Sequence, residues 1–238
     1  MRRRPHPRAG RVVSVYLYAL LSGRPASACG QGICAEPLRL VASGGLVALV
    51  GDVSALPEVT ALMLRAQDAV LRRVAVEVDA VLPARFGTLL ADDAALADAL
   101  AQRRAQLVQA LGRVAGCEQM TVRVWGDGPV PSPPRDAEPA AGPGPGTRYL
   151  TDRRRAHEAA HQVPELEPLR QRLGDLVRAE RVERHDRPPL LATVQHLVAR
   201  GAGARYLDVV DACRTGLRPC RVSVTGPWLP YAFSEDAA

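Results

Sequence analysis

Two histidines and a glutamate with the spacing of a catalytic metal site are the sequence's strongest chemical signal. His157, Glu158 and His161 form an HExxH motif. On a helix, both histidines would lie on one face and could bind Zn²⁺, while the glutamate between them could activate a water molecule. Glu180 or Glu183 lies at a sequence distance from which some zinc peptidases supply a third ligand. The motif therefore raises the hypothesis of a zinc-dependent hydrolase.

The surroundings of this motif favour a solvated helix over a zinc site. Arg153, Arg154 and Arg155 lie one turn earlier and would surround a dication with positive charge. Pro164 and Pro168 end or kink the helix soon afterwards, whereas a helix that carries metal ligands must be rigid. The flanks also lack the apolar residues that would bury the helix in a dry cavity. We therefore expect no catalytic residue, no metal and no cofactor, and keep the hydrolase as the alternative.

Other catalytic signals are weaker. Residues 142–146 are interrupted by prolines and follow no predicted strand, so they do not form a phosphate-binding loop. His185 and His196 are isolated, which is typical of structural or solvated histidines. Asp92 and Asp93 are better explained as caps of a following helix than as a general acid and base.

Composition excludes several classes of protein. The 31 basic residues, all arginine, exceed the 25 acidic ones by 6, but they are dispersed along the chain. Only 4% of the residues are aromatic, which leaves few platforms for base stacking, so nucleic acid is not an expected partner. No apolar run approaches the ~20 residues of a membrane-spanning helix. The five cysteines form no CxxC pair and indicate packed, reduced thiols in the cytoplasm.

The N-terminal segment has two interpretations. Residues 1–11 are basic, residues 12–21 are apolar, and Ala26-Ser27-Ala28 resembles a cleavage site, so together they imitate a secretory signal. Tyr16 and Tyr18, however, alternate with apolar neighbours, and this period of two predicts a first β-strand. We favour a disordered basic tail over residues 1–11 that is followed by the strand.

Strands and helices alternate in the rest of the first half, which predicts helices covering one face of a sheet. A loop over residues 22–37 is too rich in Gly, Pro and Ser for packed structure. The predicted elements are a hairpin of residues 38–42 and 46–53, a helix over 59–74, extended pieces over 78–82 and 86–88, a helix from Asp92 to Val114, and a strand over 117–125.

A proline- and glycine-rich stretch separates the two halves. Residues 126–146 contain seven prolines and five glycines, so they predict a linker at a domain boundary. The domains are then residues 12–125 and 147–238. In the second, the sequence predicts strands over 179–185, 190–198 and 220–225, and helices over 149–161 and 204–214.

Two segments have distinctive sequences. Residues 81–92 read VLPARFGTLLAD, and residues 225–233 read TGPWLPYAF. The first resembles the VLP-x-RFGT strand and turn of the gas vesicle protein L/F family, and the second is similar to the TGPWPPYSF that ends family members. The candidate motif and partner-binding residues are Arg85, Phe86, Gly87, Thr88, Gly226, Pro227, Trp228, Pro230, Tyr231 and Phe233.

The chain departs from the family at two places. Relatives commonly carry a histidine in the first long helix, where this chain reads Ala66-Gln67-Asp68. The helix after the linker is short and broken by prolines, whereas relatives usually keep a long charged helix there. The HExxH lies in this divergent helix, which further favours coincidence over a zinc site.

The resemblance implies an α+β protein with a modified ferredoxin-like N-terminal domain and a ferredoxin-like C-terminal domain. It also implies an accessory or minor structural role in gas vesicle formation, with the main shell protein and other vesicle proteins as partners. We expect Arg85 to pair with a carboxylate, and Gly87 to permit a tight turn. We expect Trp228, Tyr231 and Phe233 to pack across the domain or onto a partner.

Overall fold

The structure, a computed structural model, describes residues 13–126 and 163–234. These fall into two units, Met1–Gly116 with Leu229–Ala238, and Cys117–Trp228. The first unit contains β1 (Ser14–Leu21), β2 (Leu38–Ser43), β3 (Leu46–Val53), α1 (Ala61–Ala75), β4 (Val81–Pro83), β5 (Leu89–Leu90), α2 (Asp93–Gln102) and α3 (Arg104–Val114). The second contains β6 (Cys117–Trp125), α4 (Glu167–Leu173), β7 (Val177–Arg184), β8 (Leu190–Ala199), α5 (Gly203–Cys213) and β9 (Arg221–Trp228).

The sheet of the first unit is antiparallel, in the order β2-β3-β1-β4, with β5 also paired to β1. Gly44 and Gly45 join β2 to β3 as a two-residue hairpin turn, and both have the positive φ that such a turn requires. This strand order is that of a ferredoxin-like sheet. The helix that normally follows the first strand is replaced by the loop over residues 22–37, which accounts for the modified fold that was expected.

The central strand β1 is covered on both faces. Tyr16, Tyr18 and Leu21 pack in one core with α1, whereas Leu17 and Leu20 line a cavity together with residues of α2 and α3. A bulge between Leu17 and Ala19 interrupts the strict alternation that the sequence predicts for this strand, so Leu17 lines the cavity while Ala19 lies in the core with α1. The expectation that helices cover only one face is wrong for the same sheet, because α1 packs on one side and α2–α3 on the other.

Several predicted elements need smaller corrections. The helix expected from Asp92 to Val114 is two helices that meet at Arg103, whose φ of -114° and ψ of 11° leave the helical region. Asp92 caps α2 as predicted, because its side chain accepts a bond from Ala95 N at 2.9 Å. Residues 86–88 form a turn rather than a strand, and pairing resumes at Leu89.

The second unit has the full ferredoxin-like order. Its strands and helices follow as β6-α4-β7-β8-α5-β9, and the antiparallel sheet runs β7-β8-β6-β9. Met120, Val122 and Val124 of β6 all lie in the core formed with α4 and α5, as their alternation predicts.

The strand Cys117–Trp125 belongs to the second unit, so its predicted place in the first domain is wrong. It is a central strand of the second sheet, where it pairs with both β8 and β9. The boundary therefore falls at Gly116, and the proline- and glycine-rich residues 127–146, which lie outside the described residues, connect two elements of one unit. Breaker-rich composition excludes regular structure, but it does not distinguish a linker from a long loop. The C-terminal residues from Leu229 onward group with the first unit.

Membrane-spanning helices were not expected, and the helices within residues 13–126 and 163–234 include none of sufficient length and apolarity to cross a bilayer. The predicted N-terminal tail, residues 1–11, lies outside the described residues.

Gly226 provides a test of the β6–β9 pairing. Its φ is +135°, and an added Cβ would lie 2.8 Å from Gln119 O, a backbone atom. Gly226→Ala should therefore lower the free energy of unfolding by about 1–3 kcal/mol. Gly112 lies within α3 with open space around it, and Gly112→Ala should raise the free energy by about 0.5–1 kcal/mol. Urea denaturation of both variants checks the opposite signs, and a neutral Gly226→Ala would contradict this geometry.

Candidate functional site

A hydrogen-bonded polar centre ties α1 to β1 in the first unit. The fully buried Tyr16 hydroxyl donates to Gln67 Oε1 at 2.6 Å and accepts from Gly87 N at 3.0 Å. The Gln67 amide in turn donates to Ala84 O at 3.4 Å. Burial raises the pKa of Tyr16, so its hydroxyl stays neutral and keeps the proton that it donates. The helix, the strand and the turn that contains Gly87 therefore meet at one hydroxyl group.

The local sequence explains the shape of this turn. Gly87 has a φ of +85°, a conformation that favours glycine. Thr88 closes the turn, because its backbone N donates to Arg85 O at 3.2 Å and its hydroxyl donates to the same oxygen at 2.8 Å. Phe86 packs edge-on against Tyr16, with ring centroids 6.2 Å apart. Gly87, Thr88 and Phe86 thus have structural roles in this turn.

A second polar contact anchors the loop over residues 22–37. The Tyr18 hydroxyl donates to Glu36 Oε1 and accepts from Ile33 N at 2.9 Å, and Cys34 N donates to Glu36 Oε2 at 2.8 Å. Burial raises the pKa of Tyr18 most, and the bond to Glu36 raises it further. A side chain at Gly51 would come within 2.7 Å of Glu36 Cγ, so glycine there makes room for the carboxylate. The loop was expected to be unpacked, and this expectation is wrong.

The C-terminal motif also reaches α1. The Tyr231 hydroxyl donates to Asp68 Oδ1 at 2.9 Å, beside Gln67 in sequence, and burial raises the pKa of Tyr231. Phe233 is only 2% exposed. Gln67 and Asp68, which are successive residues of α1, therefore bond to the two motifs recognised in the sequence: Gln67 to Ala84 and Asp68 to Tyr231.

Apolar side chains are exposed where α1 begins. Leu56 is 53% exposed, Val59 68%, Leu62 70% and Leu64 46%; we call these four the α1 patch. Thr60 caps the helix by accepting a bond from Met63 N at 3.2 Å, so the backbone is ordered there. Within α1, buried side chains begin only at Gln67. The first turn and a half of α1 therefore presents apolar side chains to solvent without contributing to the core.

Comparison with known proteins identifies the family. The profile of the family described as "Gas vesicle synthesis protein GvpL/GvpF" matches residues 14–235. The chain belongs to the GvpL/GvpF family. It is also 30% identical over 235 residues to gas vesicle protein L of Streptomyces sp. (strain CB03234), covering 87% of this chain and 86% of that relative.

Solved GvpF structures share the fold. GvpF from Anabaena sp. PCC7120 superimposes with a TM-score of 0.70 at 14% identity, covering 94% of this chain and 96% of that one. GvpF from Microcystis aeruginosa gives a TM-score of 0.69 at 13% identity, covering 93% and 99%. The mixed α and β architecture with two antiparallel sheets, expected from the sequence, is thereby confirmed.

The GvpL/GvpF motif residues differ in their surroundings. Arg85 is exposed, and no carboxylate among residues 13–126 and 163–234 pairs with its guanidinium, so the expected pairing stays a prediction. Pro230 is buried with Phe233 in the first unit. Gly226, Pro227 and Trp228 end β9 in the second unit. Trp228 is 39% exposed, and its indole N–H donates to Thr225 Oγ1 at 3.3 Å.

Glu180, one of the two candidate third ligands of the alternative zinc site, is engaged in other contacts. Glu180 accepts bonds from Arg170 Nε at 3.1 Å and Nη2 at 2.8 Å, and lies 2.8 Å from His196 Nε2. A metal ion would have to displace both partners from the carboxylate. His157 and His161 lie outside the described residues.

His196 was expected to be isolated, but it belongs to a buried chain of polar groups in the second unit. Its Nε2 faces Glu180, and its Nδ1 lies 2.6 Å from the Tyr206 hydroxyl. Because a carboxylate only accepts, Nε2 donates, and Nδ1 of a neutral imidazole then accepts from Tyr206. His196 is 1% exposed, so the chain joins β7, β8 and α5 from inside the core.

The buried polar groups that bond the elements of the first unit to one another were not predicted from the sequence. Tyr16 and Tyr18 appeared only as members of a strand, and Gln67 only as a departure from relatives. Glu36 lies in the loop over residues 22–37, whose Gly, Pro and Ser content predicted no packed structure. The signal that could have revealed them is a polar residue within an apolar strand or helix pattern. Such a residue is expected to be buried and to have a hydrogen-bond partner.

Removing the Tyr16 hydroxyl tests the polar centre. Tyr16→Phe leaves the buried Gln67 Oε1 and Gly87 N without this partner, so the free energy of unfolding should fall by about 1–3 kcal/mol. Tyr231→Phe should have a smaller effect, because Asp68 keeps its bond from Arg72 Nε at 2.6 Å. Urea denaturation followed by circular dichroism measures both, and equal effects would argue against a special role for Tyr16.

Glu180 provides a test by pH. Burial raises its pKa, but bonds from His196 and Arg170 outweigh burial and lower the pKa from 4.5 to about 2. A depressed pKa stabilises the folded state above pH 4.5, and this contribution is lost as the pH falls toward about 2. The stability difference between wild type and Glu180→Gln should therefore shrink across that window. Fluorescence of Trp125 and Trp228, both in the second unit, reports the unfolding, and a constant difference would contradict the assignment.

Proposed function

We propose that this protein is a non-catalytic accessory or minor structural component of cytoplasmic gas vesicle formation, which binds the main shell protein and other vesicle proteins. Membership of the GvpL/GvpF family supports a role in gas vesicle formation. The partner is then a hydrophobic shell subunit that has to be kept from aggregating before assembly. Such a partner is recognised by apolar surface rather than by a reactive group.

The α1 patch is the observation that carries this proposal. Its leucines and valine are between 46% and 70% exposed, on a helix end that is ordered by its cap. The first turn of α1 contains no acidic residue, and the exposed charges next to the patch are Glu58 and Arg65. At about 25 cal/mol for each Å² of apolar surface, burying such side chains against a partner provides a substantial driving force.

The proposed absence of catalysis is supported by the state of the buried polar groups within residues 13–126 and 163–234. His196 and Glu180 are joined to Tyr206 and Arg170, and His196 is closed to substrate by burial. Tyr16 and Tyr18 have raised pKa values and use their hydroxyls within the core. These groups therefore stabilise the two units.

The C-terminal motif contributes to binding through a single side chain in this proposal. Tyr231 and Phe233 are used in packing the first unit, so truncation at Gly226 would damage its core as well as any binding surface. Trp228 remains 39% exposed and is the motif residue that we assign to partner binding in the second unit.

Capture of the shell protein tests the α1 patch. In pull-downs with the main gas vesicle shell protein, Val59→Asp with Leu62→Asp should reduce capture at least tenfold, because charges replace the two most exposed side chains of the α1 patch. Both changes place carboxylates near the helix N-terminus, where they favour the helix dipole. Loss of capture can therefore not be attributed to unfolding of α1.

Val76 is the matched control. It is 80% exposed at the opposite end of α1, where a carboxylate opposes the helix dipole. Val76→Asp should nevertheless retain capture, and Trp228→Ala should lower it by a smaller factor. Equal capture by wild type and the doubly substituted patch variant would refute the α1 patch as the binding surface.

A further inference from the structure

A cavity of about 460 Å³ lies in the first unit, on the side of the sheet opposite α1. Leu17 and Leu20 of β1 line it together with Leu96 and Leu100 of α2. Its volume is within the range of small-molecule sites, roughly 300–1,000 Å³. None of the α1 patch residues lines it, so this cavity is a separate feature of the unit.

The charged side chains that line the cavity within the described residues are both basic. Among residues 13–126 and 163–234, Arg85 and Arg103 line it, and no aspartate or glutamate does. Arg85 is exposed and has no partner within residues 13–126 and 163–234. The hydroxyl-bearing residues Thr88 and Ser234 add polar positions. A leucine-lined space with arginine at its solvent side suits a ligand with an aliphatic body and an anionic end.

We propose that this cavity binds an aliphatic chain that ends in a carboxylate, such as a medium-chain fatty acid. The alkyl chain has no polar atoms that need partners, whereas a peptide backbone entering the leucine-lined space would lose hydrogen bonds to water. The carboxylate pairs with the Arg85 guanidinium, whose planar donors match its two oxygens. This role gives Arg85 of the RFGT turn a partner that the described chain itself does not supply.

Calorimetric titration with dodecanoate, below the concentration at which it forms micelles, tests the proposal. Saturable one-to-one binding is expected, and dodecylamine, with the opposite charge, should bind at least tenfold more weakly. Arg85→Gln should weaken dodecanoate binding roughly tenfold, as expected for one charge-assisted contact. Arg65 is also exposed but does not line the cavity, so Arg65→Gln should leave the affinity unchanged.

A second pair of variants tests the location. Ala99 and Ala97 are both half-buried on α2, but only Ala99 lines the cavity. Ala99→Phe should abolish binding by filling the space, and Ala97→Phe should retain it, with circular dichroism confirming that both are folded. If Ala99→Phe does not fold, the exposed Arg85→Gln still decides.

The proposal would be overturned by the absence of saturable dodecanoate binding or by equal binding of dodecylamine. It would also be overturned by unchanged dodecanoate affinity in Arg85→Gln or by unchanged binding in a folded Ala99→Phe. An acidic, leucine-rich peptide that binds in an Ala99-dependent way where dodecanoate does not would also overturn it, in favour of a protein ligand. The pull-down with the shell protein is independent of all these outcomes, because the α1 patch lies elsewhere in the unit.

Discussion

The Tyr16 hydroxyl is the constraint on which the first unit depends. A polar group with no exposed surface must find its partners inside the protein, and here those partners belong to α1 and to the turn at Gly87. Apolar packing alone would allow the helix to slide along the sheet at modest energetic cost. The bonds from Tyr16 to Gln67 and from Gly87 to Tyr16 allow one arrangement, and the bond from Tyr231 to Asp68 brings the C-terminal motif to the same helix.

Local pattern predicted the elements well, but not their long-range pairing. The hairpin at Gly44-Gly45, the cap at Asp92 and the alternation in β6 depend on neighbours within a few residues, and all are confirmed. The assignment of β6 to the second sheet depends on pairing with β8 and β9, which lie more than sixty residues away in sequence. The bulge in β1 shifts side chains between faces without any breaker residue to mark it.

Motif resemblance located the site better than it explained it. Within the RFGT turn, glycine provides the positive φ, threonine closes the turn and phenylalanine packs on Tyr16, so only Arg85 remains available to a ligand. Gln67 was noted in the sequence only as a departure from the family pattern, yet its amide donates to Ala84 O and accepts from Tyr16. An amide side chain offers both a donor and an acceptor, and this position uses both.

In the proposed function, stability and binding depend on different parts of a single helix. From Gln67 onward, α1 contributes buried side chains to the core, and the polar centre fixes its position. Before Gln67, the helix is held by its cap and by backbone bonds, so its exposed side chains are free to vary without loss of the fold. This arrangement suits the proposed binding of an apolar subunit, because the α1 patch lies next to an ordered helix cap and α1 buries no side chain before Gln67. The Arg85 side chain can likewise vary without loss of the fold, because the residues around it determine the shape of its turn.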